Sequence, residues 1–335
     1  MKAGNYSKTN IFMWVVYPVG LVTFILFMFF TCTSKSLRGQ GNEESALPAD
    51  TIKKKEFIMP VIPKELTVPQ DRANYLITHY WDNFDFSDTT YIHLPEITEQ
   101  AFANYIEVLS HGAKPTSYFS INDMLLKAEA ASPEVHRYFL SCYKKYLYDP
   151  NSPLRNEEYY IPVVNQILKS AKTGAVDRER AEYTMSLLLK NRVGEKATDI
   201  TYTQAFGKTG RLYDIQGQYT LLYFYNPDCQ ACEQTTHYMK ESDFINSLVK
   251  AGILKIAMIY PDKDIDLWKE HLNDIPKAWI NGYDKHMVIN DRQLYDLKAI
   301  PTLYLLDKDK NILLKDTEIT KAETYIRENT PLMFP

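Results

Sequence analysis

Cysteine is scarce in this sequence, and positive charge is not in excess. Four cysteines among 335 residues are too few for a secreted scaffold that is held together by disulfides. One Cys-x-x-Cys pair is also a poor structural zinc site, which usually takes four ligands, and His237 would supply only a third. The net charge of −4 gives no sign of nucleic-acid binding. We therefore expect no metal, no organic cofactor and no nucleic-acid partner.

The region between Pro69 and Arg192 lacks paired carboxylates, a metal-ligand pattern and a glycine-rich loop. Its apolar residues recur mostly at helical spacing, which predicts an all-α domain over residues 64–192. Cys142 shares a predicted helix face with apolar side chains, so we expect a buried thiol there. The domain is predicted to be a helix bundle whose sequence shows no catalytic site.

Helix boundaries within this domain follow from local capping signals. Ser132 followed by Pro133 is typical of a helix start, because proline fits the first helical turn. Ser120, with an acidic residue three positions later, predicts another helix start. Two further helices are predicted over 157–169 and 177–191.

The first 32 residues have the composition of a signal peptide or membrane anchor. Residues 11–30 carry no charge, and a helix of that length spans about 30 Å, the thickness of the hydrocarbon core. The run is longer than the apolar part of an ordinary signal peptide, which favours an uncleaved anchor. Cys32 follows directly, and the sequence around it loosely resembles a bacterial lipobox, whose cysteine is lipidated. Both alternatives tether the chain to a membrane, with residues 33–63 as a flexible linker and the folded domains outside the cytoplasm.

A strand followed by two cysteines is the most informative motif. Residues 221–226 predict a buried strand, and a turn at Pro227 leads into a helix that starts at the cysteines and runs to residue 250. A Cys-x-x-Cys in this place is typical of a thioredoxin-like redox centre. The unpaired amides and the dipole of the helix start are expected to stabilise a thiolate at Cys229. Cys232, one turn later, is placed to attack a mixed disulfide at Cys229.

The remainder of residues 193–335 predicts an α/β domain around this motif. Its predicted elements are an opening hairpin that turns near 207–210, a buried strand over 253–260, helices over 264–273, 293–297 and 320–329, and a hairpin over 299–316. The strand over 253–260 is apolar almost throughout, as suits a parallel strand inside a sheet. The resulting order, β-α-β-α-β-β-α, is that of a thioredoxin fold.

Ile300, Pro301 and Thr302 form a second motif, about seventy residues after the cysteines. A proline that opens an apolar strand is unusual, since it donates no hydrogen bond to the sheet. Together with the Cys-x-x-Cys, this motif resembles the thioredoxin family. The resemblance implies a redox disulfide between Cys229 and Cys232, and a cis proline against it whose neighbouring backbone binds an extended substrate peptide. The opening hairpin and the tether further resemble periplasmic TlpA-like thioredoxins, including those that reduce apocytochromes.

The helical domain resembles a second family. Residues 74–88, with the sequence NYLITHYWDNFDFSD, are similar to the start of helical domains of unknown function. Such domains precede thioredoxin domains in exported proteins of Bacteroides-type bacteria, and the resemblance extends over about residues 57–190. It implies an arrangement of domains and no particular activity.

Two positions near the cysteines depart from the thioredoxin pattern. Asp228 precedes the first cysteine, and its negative charge is expected to oppose the helix dipole in part. Tyr223 stands where many thioredoxins keep a buried acid that accepts the proton of the second cysteine. Glu233 or Glu241 would have to fill that role, and deprotonation of the second cysteine is expected to be slower if neither does.

Two aromatic residues between the predicted strand and the proline leave two interpretations open. Trp279 and Tyr283 would either shape a substrate groove or cover the core of the domain. The sequence favours neither interpretation over the other.

Two functions of different classes fit these motifs. The first is a membrane-tethered thiol–disulfide oxidoreductase that acts on proteins with disulfides or thiols, with Cys229 as nucleophile and Cys232 as resolving thiol. Its turnover needs a membrane thiol carrier or another redox partner that resets the cysteine pair. The second is a cell-envelope binding protein in which the helical domain recognises a partner and the thioredoxin fold turns over little. A peroxidase is disfavoured, because Asn226 occupies the place of the hydroxyl residue that such an enzyme uses.

Overall fold

A computed structural model describes residues 55–330 of the chain. The anchor predicted over 11–30, Cys32 and most of the predicted linker lie outside the described residues. Within residues 55–330, no helix is both long enough and apolar enough to cross a lipid bilayer. The described residues form one compact unit, in which a helical part over 55–192 is followed by an α/β part over 193–330.

Six α-helices lie within residues 55–192. Four of them have proline in the first turn, where its missing amide hydrogen costs no helical hydrogen bond. Their bounds are α1 (Pro69–His79), α2 (Pro95–Leu109), α3 (Lys114–Ala131), α4 (Pro133–Tyr143), α5 (Glu157–Lys169) and α6 (Ala175–Leu188). The predicted start of α4 and both predicted bounds of α5 are confirmed.

Aromatic rings fill the core of the helical part. Trp81 is buried at its centre, and its ring centroid lies 5.3 to 5.5 Å from those of Phe57, Phe84, Tyr105 and Phe139. Such edge-to-face packing contributes beyond the apolar area that it buries. Phe57 belongs to the segment predicted to be a flexible linker. That prediction is wrong for the end of the linker, because the Phe57 ring is packed into this core.

The predicted helix start at Ser120 is wrong. Helix α3 begins six residues earlier, at Lys114, with Pro115 in its first turn. Ser120 is buried in the middle of α3, where its hydroxyl lies 2.8 Å from that of Tyr105 and donates a 2.6 Å hydrogen bond to the carbonyl of Ile77. The local sequence does not distinguish a serine that caps its own helix from one that bonds to a neighbouring helix. In both cases the hydroxyl bonds to a main-chain group.

Cys142 lies on the inner face of α4. Its side chain is 5% exposed, and burial raises the pKa of its thiol to about 11. The predicted buried thiol is therefore confirmed.

Seven strands within residues 193–330 form one mixed sheet in the order β2-β1-β5-β4-β3-β6-β7. The strands are β1 (Thr201–Gln204), β2 (Thr209–Arg211), β3 (Tyr219–Phe224), β4 (Leu254–Tyr260), β5 (Ile280–Tyr283), β6 (Thr302–Leu306) and β7 (Ile312–Lys315). The helices of this part are α7 (Gln230–Glu241), α8 (Asp243–Lys250), α9 (Ile265–Glu270), α10 (Val288–Asp291) and α11 (Ile319–Asn329). The predicted opening hairpin, β1–β2, and the central parallel strand, β4, are confirmed.

The pairing of β3 brings the two sequence motifs together. Strand β3 is buried along its whole length, runs parallel to β4 and pairs in antiparallel fashion with β6. In the antiparallel register, Phe224 at the end of β3 lies opposite Thr302 at the start of β6. The chain that follows β3 and the chain that precedes β6 therefore meet at the same edge of the sheet.

Strand β5 is absent from the predicted order, because Asn281 and Gly282 have low strand propensity. In the structure it pairs in parallel with β4 and in antiparallel fashion with β1. The Tyr202 ring of β1 lies over Gly282, and a Cβ atom at that position would stand 2.8 Å from Tyr202 Cδ2. The glycine thus lets the opening hairpin close onto the sheet.

Two helix predictions in this part are wrong. Residues 293–297 form no helix, since Gln293 has a left-handed φ of +48° and the amide of Leu294 bonds back to a carbonyl of α10. The helix predicted to run from the cysteines to residue 250 is divided at Ser242. The backbone of Ser242 is extended, and its hydroxyl accepts a hydrogen bond from the Ile245 amide to cap α8.

Buried ion pairs connect the helical part to the end of β7. Arg155 contacts Asp316 at 2.8 Å and Glu157 contacts Lys315 at 2.9 Å, and none of these side chains is more than 16% exposed. Burial raises the pKa of Asp316, and Arg155 offsets only part of the rise. Burial acts in the same direction on Glu157, but Lys315 and Lys298 outweigh it and lower the pKa of that carboxyl.

A second carboxylate of α5, that of Glu158, pairs with Arg192 at the end of the helical part. Glu158 accepts hydrogen bonds of 2.9 and 2.7 Å from Arg192 and also pairs with Lys114. Burial alone would raise the pKa of Glu158, but Arg192 and Lys114 outweigh it and lower the pKa from 4.5 to about 2. A lowered pKa stabilises the fold above pH 4.5, and this contribution is lost as the pH falls towards 2.

We expect Glu158→Gln to lower the free energy of unfolding by about 1–2 kcal/mol at pH 7, a value reduced for the partial exposure of this carboxylate. Urea denaturation of both proteins at pH 7 and pH 3 measures the effect. The difference is expected to shrink at pH 3, because part of the wild-type contribution is lost there. Glu179→Gln, at an exposed position of α6, is the matched control, with an expected change below about 0.5 kcal/mol. An equal difference at both pH values would contradict this prediction.

Candidate functional site

Asn226 shapes the loop between β3 and the cysteines. Its side-chain oxygen accepts a 3.0 Å hydrogen bond from the Asp228 amide, and its carbonyl accepts one of 3.1 Å from the Cys229 amide. Its side-chain nitrogen donates to Asp262 at 2.9 Å. Asparagine favours such turns because its side chain bonds to the main chain two residues later. The sequence signal for this turn is an asparagine directly before Pro227, and it is missed when the motif is read only for its cysteines.

Cys229 lies at the start of α7, as the sequence predicts. Its backbone is extended, and its Sγ accepts a 3.2 Å hydrogen bond from the amide of Cys232, so that the sulfur itself caps the helix. The side chain is half-buried. The sulfur therefore faces the unpaired amides and the positive end of the helix dipole.

The cis-proline lies against this sulfur. The Ile300–Pro301 peptide bond is cis, as the resemblance to thioredoxins implies. The Cys229 thiol donates a hydrogen bond of 3.5 Å to the carbonyl of Ile300. The structure thus brings together three of the predicted site residues, and the register of β3 with β6 is the reason.

Cys232 is the buried member of the pair, with 2% of its side chain exposed. Burial raises the pKa of the Cys232 thiol well above its ordinary value, and the Cys229 sulfur adds to the rise. The backbone of Asn226 and the Tyr223 hydroxyl lower the pKa by less. The two thiols therefore differ in solvent exposure, and Cys232 is kept in its protonated form.

Tyr223 occupies the space beside Cys232, and its hydroxyl donates a 3.0 Å hydrogen bond to the Cys232 carbonyl. Burial raises the pKa of this tyrosine, so its hydroxyl donates hydrogen bonds and does not take up the thiol proton at neutral pH. Glu233 and Glu241 are both solvent-exposed on α7. The suggestion that either replaces the missing buried acid is therefore wrong.

Trp279 and Tyr283 do not shape the site. Trp279 is buried in the core between the sheet and its helices, and Tyr283 packs its ring 4.7 Å from that of Trp268. Of the two interpretations of these aromatics, core packing is the one that the structure supports.

Both cysteines of the motif carry free thiols in the structure. A half-buried thiol at a helix start, with a second thiol one turn away, is the arrangement required for thiol–disulfide exchange. Within residues 55–330, no three His, Cys, Asp or Glu side chains are grouped so as to hold a metal ion.

A cleft of about 940 Å3 opens beside the cis-proline. Its walls come from both parts of the chain and include Ala231, Thr235, Ile300 and Pro301 from the α/β part, and Pro150 and Asn156 from the helical part. Its charged residues pair with one another, as Arg155 does with Asp316 and Lys315 with Glu157. The sequence gives no signal for this cleft, because its two walls come from separate parts of the chain that meet only in the folded structure.

Comparison with known proteins identifies the family. Residues 217–312 match the family described as "Thioredoxin-like", and residues 33–191 match the "Domain of unknown function (DUF5106)". A crystal structure of a thioredoxin-like protein from Bacteroides caccae is 44% identical, with a TM-score of 0.79, and the match covers 83% of this chain and 100% of that chain. This chain belongs to the thioredoxin-like proteins. The resemblances to the thioredoxin family and to the helical domains of unknown function are confirmed.

Two further solved structures match a smaller share of this thioredoxin-like chain. The C-terminal domain of an uncharacterized protein from Bacteroides fragilis is 50% identical, with a TM-score of 0.40, over 41% of this chain and 98% of that chain. A domain of a possible thiol-disulfide isomerase from Cytophaga hutchinsonii is 25% identical, with a TM-score of 0.38, over 42% of this chain and 94% of that chain. No curated protein sequence matches the chain.

At pH 7 we expect iodoacetamide to modify Cys229 in the folded thioredoxin-like protein and to leave Cys232 and Cys142 unmodified. The thiols of Cys232 and Cys142 are buried, and burial raises the pKa of each. Mass spectrometry of the digested protein measures the modification of each cysteine. In denaturing urea all three should react, which serves as the control. Modification of Cys232 at the same rate as Cys229 would show that this account of the pair is wrong.

We expect Tyr223→Phe to slow the attack of Cys232 on a mixed disulfide at Cys229, by about two- to tenfold for one lost hydrogen bond. The hydroxyl that this variant lacks lowers the pKa of Cys232. Release of a trapped peptide, followed by mass spectrometry, measures the rate. Tyr225→Phe is the matched control, since Tyr225 lies two residues along the same chain and donates to Asn281 instead. Equal rates in the two variants would refute the role of the Tyr223 hydroxyl.

Proposed function

We propose that this protein is a membrane-tethered, extracytoplasmic thiol–disulfide oxidoreductase that acts on protein disulfides. The observation that carries the proposal is the contact between Cys229 Sγ and the carbonyl of Ile300, beside the cis peptide bond of Pro301. This contact puts the half-buried thiol at the helix start next to main chain that an extended substrate can pair with. Cys232 lies one helical turn away, and its thiol is buried and protonated.

The first chemical step joins the substrate to Cys229. The Cys229 thiolate attacks one sulfur of a substrate disulfide, so that a new S–S bond forms and the substrate S–S bond breaks. The second substrate sulfur leaves as a thiolate and takes up a proton from water. The positive end of α7 favours the attacking thiolate, because the sulfur faces the first amides of that helix.

The second step releases the substrate. The Cys232 thiol gives its proton to solvent, and its sulfur attacks that of Cys229. A Cys229–Cys232 disulfide forms, and the first substrate sulfur leaves as a thiolate and is protonated. Two electrons have then passed to the substrate, and the same steps in reverse oxidise a substrate dithiol. A membrane thiol carrier or another redox partner returns the cysteine pair to its starting state.

Ile300 and Pro301 bind the substrate in this proposal. An extended peptide adds to the main chain at this edge, and the cleft beside it supplies space for the neighbouring residues. Because the charged residues of the cleft pair with one another, the cleft presents little unpaired charge to the substrate. We infer that it accepts segments of varied sequence.

The tether is proposed from the sequence of the first 32 residues. The uncharged run over 11–30 is long enough to anchor the chain, and Cys32 is the candidate for lipidation. Either form of anchor places the folded part on the outer side of a bacterial membrane, within the cell envelope. Disulfides form and persist in such compartments, which suits a thiol–disulfide enzyme.

A binding protein with little turnover is the second candidate. The observation that favours it is the wall that the helical part contributes to the cleft, since this wall is available to a partner without any redox chemistry. The helical part would then recognise a cell-envelope component, and the thioredoxin-like part would serve as a scaffold.

Reduction of insulin by dithiothreitol separates the two candidates. We expect the wild type to accelerate the reaction, Cys229→Ser to abolish the acceleration, and Cys232→Ser to form a stable mixed disulfide, because the resolving thiol is absent. Cys142→Ala is the control and should retain the wild-type rate, since Cys142 lies in the core of the helical part. A wild-type protein without any thiol-dependent acceleration would favour the scaffold.

A further inference from the structure

The helical part holds the segment that leads to the cis-proline. Residues 293–298 form neither helix nor strand, and their main chain bonds to the residues that follow α6. Lys190 Nζ donates a 2.6 Å hydrogen bond to the carbonyl of Gln293, and Asn191 Nδ2 donates one of 2.7 Å to the carbonyl of Leu294. These groups outside the α/β part therefore help to fix the segment, together with Tyr295, whose buried ring packs on Phe224 and Tyr304 of the sheet.

Lys298 makes an ionic contact between this segment and the helical part. Its ammonium group pairs with Glu157 of α5, lies 2.8 Å from Asp296 and stands 3.9 Å from the ring centroid of Tyr148. The side chains of Lys298 and Glu157 are 18% and 10% exposed. Burial alone would lower the pKa of Lys298, but Glu157 and Asp296 outweigh it and keep the group charged. Buried pairs of this kind hold their partners in one geometry.

The held segment ends beside the reactive sulfur. Ile300 lies two residues after Lys298, and its carbonyl accepts the hydrogen bond of the Cys229 thiol. A hydrogen bond of this kind favours the protonated form of the thiol. The position of the segment thus affects both this hydrogen bond of the Cys229 thiol and the main chain that faces a substrate.

We propose that the helical part is a positioning element of the redox site, acting through Glu157 and Lys190 on residues 293–298. Those two residues hold the segment so that the Ile300 carbonyl faces the Cys229 thiol. The effect of this positioning on catalysis rests on the function proposed above, whereas its effect on the reactivity of the Cys229 thiol does not. Glu157 and Lys190 are positioning residues, since neither touches the reacting atoms.

The test measures the rate at which iodoacetamide modifies Cys229, as a function of pH, in the full chain. In Glu157→Gln the pairing with Lys298 and Lys315 is weakened, so the Ile300 carbonyl is held less closely to the thiol. We expect the midpoint of the profile to move to lower pH and the rate at neutral pH to rise by about two- to tenfold. Cys232 and Tyr223, which interact with Cys229, and Asp228, which precedes it in the chain, are unchanged in this variant.

A matched control and a second variant make the result decisive. Glu99→Gln has the same substitution in the same helical part, but Glu99 pairs with Lys145, away from the segment, and should leave the profile unchanged. Lys190→Met removes the hydrogen bond to Gln293 without breaking a buried ion pair, and should move the midpoint in the same direction as Glu157→Gln. It decides the question if Glu157→Gln does not fold.

Folding of each variant is checked by circular dichroism and thermal melting. Folded variants with the wild-type pH profile would overturn this inference, because loss of stability alone does not move the midpoint. Insulin reduction by the wild type tests the proposed function separately. A shifted profile in an enzyme without turnover would support the positioning role and refute the proposed activity.

Discussion

The antiparallel register of β3 with β6 is the constraint on which the redox site depends. It sets Phe224 opposite Thr302, so that the loop after one strand and the proline before the next meet at one edge of the sheet. Hydrogen bonds along both strands and the burial of β3 hold this register. A slip of one residue would turn every side chain of β3 to the opposite face, so the register and the core stabilise each other.

Buried charge is the second feature that organises the described chain. The helical part contributes Arg155 and Glu157. Arg155 pairs with Asp316 of the α/β part, and Glu157 pairs with Lys315 and Lys298. Removing one member of such a pair costs about 3–5 kcal/mol, because the other charge stays buried without a partner. The energy of the pairing itself is small after desolvation. The pairs therefore act mainly on geometry, since they join α5 and the residue before it to the end of β7 and to Lys298.

Much of this fold follows from local sequence signals. Capping at Ser132 and the helical spacing of residues 157–169 predict two helices correctly, since each signal is contained within one helical turn or face. The Cys-x-x-Cys after a strand predicts the thiol at the helix start, and the resemblance of the Ile-Pro-Thr motif to thioredoxins implies the cis-proline beside it. Ser120 misleads because its hydroxyl bonds to another helix, and no local pattern distinguishes that bond from a cap.

What sequence reasoning misses depends on partners that are distant in the chain. Residues 280–283 form a strand because β4 and β1 supply hydrogen bonds on both sides, in spite of an asparagine and a glycine with low strand propensity. The cleft and the ionic contacts of Lys298 likewise require the helical part to be in place. Neither feature can be predicted from the residues around it.

The hydrogen bond that caps α7 makes the ionisation of the Cys229 thiol observable. The Cys232 amide donates to the very sulfur that would change charge during exchange, and a negatively charged acceptor makes a shorter, stronger bond than a neutral one. The chemical shift of that single amide nitrogen and its proton is therefore a built-in indicator of ionisation at Cys229. Nuclear magnetic resonance would follow the titration without any added label.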